Sequence, residues 1–64
     1  MAIEGEALRR AVRWISDRRR DEPTLPLWRA IDEASVRFDL TPVEEQFLLQ
    51  NWHDAERDVQ AGGD

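Results

Sequence analysis

Thr41-Pro42-Val43-Glu44, set directly ahead of Glu45-Gln46-Phe47-Leu48-Leu49, decides how the rest of the chain is read. A threonine oxygen accepts from the free N–H groups of a helix's first turn, and a glutamate three residues later reaches back to the threonine N–H. Proline costs nothing at the first helical position, where its missing N–H has no partner to lose. A helix therefore starts at Pro42. Phe47, Leu48, Trp52 and Ala55 carry it at helical spacing to about Val59.

Working back from that start, Asp39-Leu40 is a tight connection, so a second helix ends just before it. Leu27, Ile31, Ala34 and Phe38 lie on one stripe of that helix, with Pro26 expected in its first turn. Trp28 falls at the stripe's edge and Val36 on its far side. Glu33 precedes Arg37 by four residues, the favoured order for a helical ion pair. Ahead of it, Asp21-Glu22-Pro23-Thr24-Leu25-Pro26 is a break, because a residue before proline is pushed out of the helical region.

A first helix precedes the break. Ala7, Leu8, Ala11, Val12, Trp14 and Ile15 fill an arc of about 160°, and Glu6, Arg9, Arg10, Arg13 and Asp17 lie opposite. Glu6 is placed to pair with Arg10. Arg18, Arg19 and Arg20 meet the negative end of the helix dipole. No segment alternates with period two. The expected fold is all-α, a compact three-helix bundle with helices over about 4–20, 26–38 and 42–59. It forms a single domain over 1–60, with 61–64 as a frayed C-terminal tail. One Trp per helix fits a shared aromatic cluster.

Composition narrows the function. The chain has 64 residues, no cysteine and one histidine, and its net charge is −5. Without cysteine there is neither a disulfide framework nor a thiolate metal site. No apolar run approaches the roughly 20 residues of a membrane span, and the first residues lack the order of a secretory signal. A cytoplasmic location is the expectation. His53, with Asp54 and Glu56 nearby, cannot supply the three or four converging ligands of a zinc site. Ser16 and Ser35 have no context that activates a nucleophile. No glycine-rich loop is present to cradle phosphate. A non-enzymatic protein without cofactor, metal or small-molecule substrate is expected.

Charge is unevenly spread: residues 1–20 carry net +3 and residues 21–64 net −8. Arg9, Arg10, Arg13 and Arg20 form a candidate basic surface, whose simplest explanation is a solvated face with its own acids interspersed. The acidic chain as a whole does not suit nonspecific nucleic-acid or anionic-membrane binding. The third helix carries more apolar surface than one stripe needs. Val43 and Phe47 point one way, Leu48, Trp52, Ala55 and Val59 another, about 130° away, and Leu49 lies off both. Surplus of this kind marks a contact surface. The candidate interface is Trp28, Val36, Leu48, Leu49 and Trp52. The expected function is a protein-interaction module that self-associates as a homodimer through the apolar surface of the third helix, with another protein as the alternative partner.

Arg37-Phe38-Asp39-Leu40-Thr41-Pro42-Val43-Glu44 resembles the turn of helix-turn-helix DNA-binding domains, and its Leu-Thr-Pro-x-Glu portion looks like the start of that unit in response-regulator effector domains. The resemblance covers residues 31–50. It implies a recognition helix over Pro42–Trp52 in which Gln46, Gln50 and Asn51 hydrogen-bond bases. Asp39 stands where the family has a turn glycine. Glu44 and Glu45 open the helix, and no Arg or Lys follows before Arg57, so phosphates would repel it. DNA binding and transcription regulation therefore stand second to protein interaction. The runs Ala11–Ile15, Ile31–Ser35, Arg37–Pro42 and Glu45–Leu49 also look like short all-helical bacterial proteins with no assigned activity. That resemblance spans residues 7–52 and implies bacterial origin and a compact helical unit.

Overall fold

Gly5 has φ 98, a left-handed value that glycine adopts freely, and the chain turns there into the first helix. The computed structural model describes residues 5–61, and their side chains as far as Val59. Three helices follow in order: α1 (Glu6–Asp21), α2 (Leu27–Arg37) and α3 (Pro42–Ala61). Every pair of helices is in contact. The expected start at Glu4 lies outside the described residues. Of the tail expected over 61–64, Ala61 ends α3 and the remainder lies outside them too.

Each end of the α2–α3 turn is closed by its own hydrogen bonds. At the end of α2, Leu40 N–H donates to the Ser35 carbonyl at 2.9 Å and Phe38 N–H to the Ala34 carbonyl at 2.8 Å. Asp39 sits between them with φ 56, the left-handed residue that such a helix ending requires. Thr41 and Glu44 then form both halves of the capping box. Glu44 N–H donates to Thr41 Oγ1 at 3.2 Å, and Thr41 N–H donates to Glu44 Oε1 at 2.9 Å. Pro26 differs from expectation. It is extended, with ψ 144, and caps α2 instead of entering its first turn. Its carbonyl accepts from both Arg29 and Ala30 N–H.

The core draws on every segment: Leu8, Ala11, Val12 and Ile15 from α1, Ala30, Ile31 and Ala34 from α2, and Leu48, Trp52, Ala55 and Val59 from α3. Leu25, between the two prolines, drops into it from the connection. Trp14, Leu27, Phe38, Leu40 and Phe47 pack around the margin. Two polar contacts tie helices together. Ser16 Oγ donates to Glu56 Oε2 at 2.8 Å between α1 and α3, and Arg18 Nε lies 3.5 Å from Glu33 Oε1 between α1 and α2.

α3 is not straight. Asn51 has φ −128 and ψ 30, outside the helical region, and the helix bends there. Asn51 Nδ2 donates to the Phe47 carbonyl at 3.2 Å, the acceptor that its own backbone N–H would take in a regular helix. Insertion of a side chain into the helical ladder is a recognised cause of a kink.

Candidate functional site

The apolar side chains outside the core define the site. Trp28 is 63% exposed, Val36 81%, Val43 77% and Leu49 47%. All four are on α2 or α3. Trp28, Val36 and Leu49 therefore stand on the surface, as an interface requires.

Leu48 and Trp52 do not. Both are buried in the core, which corrects their place among the exposed candidates. The cause is packing. The stripe Leu48, Trp52, Ala55 and Val59 is the longer of the two directions on α3 and lies against α1 and α2. Val43, on the shorter direction, is left outside, while Phe47 on the same direction is half-buried at the margin. One helix hides the flank that the sequence reading assigned to a partner, and exposes the other flank in part.

The three tryptophans are not clustered. Trp52 is in the core, Trp28 is exposed, and Trp14 packs edge-on against Phe38 at a centroid distance of 6.3 Å. The Arg37 guanidinium lies 5.7 Å from the Trp14 ring centre. This contact replaces the expected Glu33–Arg37 pair. Glu33 is occupied instead by Arg18 from α1 and by Arg29 at 3.8 Å within α2.

The basic surface on α1 is partly offset by its own acids. Arg10 lies 2.9 Å from Glu6, as expected, and Arg20 lies 3.7 Å from Asp17. Arg9 and Arg13 are also engaged within the molecule. Arg18 adds a contact to Glu22 at 3.3 Å. Exposed pairs of this type contribute at most about 1 kcal/mol each, and α1 keeps more arginines than acids, since Glu6, Asp17 and Asp21 are its only carboxylates. Arg19 is half-buried, and its Nε has no hydrogen-bond partner.

An open hollow of about 340 Å³ lies where α2 begins and α3 bends. Leu27, Leu49 and Trp52 supply its apolar lining, and Gln50, Asn51, His53 and Asp54 the larger, polar share. The kink positions these groups, because a straight helix would carry residues 50–54 past α2 at a different angle. Among the described residues, no group of three or more His, Asp or Glu is gathered so as to hold a metal ion. No described helix is long and apolar enough to cross a membrane. At the turn that resembles a helix-turn-helix, Asp39, which stands in place of the family's glycine, takes the left-handed conformation and α3 is capped, while Asn51 donates into its own helix instead of facing outward like Gln46 and Gln50.

Three features escaped the sequence reading: the burial of Leu25 and Ala30, the bend at Asn51, and the Arg37–Trp14 contact. The bend had one local sign, an asparagine in mid-helix, whose side chain competes for backbone partners. Comparisons of the chain with family models, with curated proteins and with solved structures find no match.

Proposed function

We propose that this chain is a small non-enzymatic protein-interaction module of the cytoplasm, docking through the apolar side chains that α2 and α3 leave outside the core. The observation that carries this reading is Trp28. It is the largest side-chain type, is 63% exposed, and has no ring partner among the described residues. Exposed apolar groups are common singly. Here, however, the preceding residue, Leu27, shares a hollow with exposed Leu49. Tryptophan is among the residues that dominate binding energy at interfaces. A second copy of the chain is one partner that this surface could take, since association would also extend a small core.

A photo-reactive amino acid introduced at position 28 or 49 tests the reading in cells that make the protein. Discrete adducts from these two positions, absent when the probe sits at exposed Arg13 or Arg20, are expected. An adduct of twice the chain mass identifies a second copy. Equal labelling from all four positions, or none, removes the reading. The helix-turn-helix alternative draws support from the turn geometry alone. Binding of duplex DNA at low salt that weakens on Gln46→Ala and Gln50→Ala would favour it.

A further inference from the structure

We infer that the hollow between Leu27 and Leu49 is a docking site for a cationic amphipathic helix of a partner protein, with an apolar anchor in the hollow and Arg or Lys on either flank. This inference rests on the interaction-module reading and names its partner by chemistry. The argument comes from where charge is left over. Within the molecule, acids are matched to Arg10, Arg18, Arg20 and Arg29; Arg29 is two residues from Leu27 at the hollow, and Glu33 already answers its charge. Around the hollow the reverse holds. Asp54 lines it, Asp32 lies one turn along α2 from Trp28, and Glu45 one turn before Leu49. None of these three carboxylates has an ion-pair partner among the described residues. Glu45 gains something from the helix dipole at the start of α3, but Asp32 and Asp54 do not. Arg57, one turn beyond Asp54, is the nearest cation in the α3 sequence, so the balance stays negative.

A hollow with apolar walls at Leu27 and Leu49, polar groups along α3 and an unmatched acidic margin selects its occupant. A second copy brings net charge −5 and an α1 whose arginines are largely engaged, so like charges would face each other. A neutral apolar peptide would leave the carboxylates desolvated without partners. A basic helix satisfies both parts. Its apolar stripe fills a groove about the size of the smallest ligand pockets, roughly 300 Å³. Its cations meet Asp32 and Asp54, and arginine can also stack on the exposed Trp28 ring.

The test uses the full chain, ¹⁵N-labelled, titrated with an amidated amphipathic peptide of about 15 residues, Leu on one stripe and Arg beside it. Three control peptides accompany it: Glu replacing Arg, the same Arg content without a Leu stripe, and a Leu-stripe peptide with neutral flanks. The expected result is shifts confined to the Trp28 indole and the amides of residues 49–54, with the Arg–Leu peptide binding at least tenfold more tightly than any control. Asp32→Arg with Asp54→Arg should weaken that peptide about tenfold and strengthen the Glu peptide. Binding independent of peptide sign, shifts spread over the surface, or no binding overturns the inference. If position 28 still gives adducts in cells, the interaction reading survives that outcome. If it does not, both fall.

Discussion

Burial at single residues separates stability from docking on one helix. Trp52 is 4% exposed within the core, whereas Leu49, three residues earlier, is 47% exposed. Trp52→Ala should cost about 3–5 kcal/mol, the transfer of a large ring plus the cavity it leaves. Leu49→Asp should cost only about 1 kcal/mol, because about half of the side chain already faces water. Urea unfolding followed by circular dichroism reads both values, and similar losses would mean that the burial pattern is wrong. Asp39 offers a test of opposite sign. Its φ of 56 is strained for a residue with a Cβ, and among the described residues its side chain makes no hydrogen bond or ion pair. Asp39→Gly should stabilise the chain by about 0.5–1 kcal/mol, raising the urea midpoint; a lower midpoint would show that the aspartate side chain contributes something the turn needs.

Among the elements, the start of α3 is the most local in its causes. Thr41→Ala should cost about 1 kcal/mol. In a double-mutant cycle with Glu44→Ala, the two losses should fall short of additivity, because each residue bonds the other's backbone N–H. Full additivity would mean that the two bonds act independently. This locality is also why the cap was legible in the sequence: threonine, proline and glutamate at fixed offsets carry all the information needed. The Glu6–Arg10 pair was legible for the same reason. Glu33–Arg37 was not, since Arg18 reaches Glu33 from another helix and Arg37 finds the Trp14 ring. Leu25 reads as a linker residue until the prolines aim it inward. The apolar surplus on α3 was legible in amount but not in direction. Which flank is sheltered depends on where α1 and α2 lie, and neither helix position is written in α3's own periodicity.

At the scale of the whole molecule, no pair of helices closes a core without the third. Leu8, Val12 and Ile15, Ile31 and Ala34, and Leu48, Trp52 and Val59 belong to one buried cluster. Withdrawing any helix would expose apolar faces of the other two, so partial unfolding gains little chain entropy for the surface it uncovers. The bundle should therefore unfold in one step. Far-UV circular dichroism reports all three helices, and near-UV dichroism reports the packing of Trp14 and Trp52. Their urea transitions should superimpose. If α3 beyond the Asn51 bend opened alone, the near-UV signal from Trp52 would be lost at lower urea, and the single-step account would fail. A chain of this length has a total stability of roughly 3–10 kcal/mol. Replacing one fully enclosed residue by a carboxylate consumes several of those. Leu48→Asp should accordingly be largely unfolded in water at 25 °C, while Leu49→Asp, its immediate neighbour, keeps the helical spectrum of the parent.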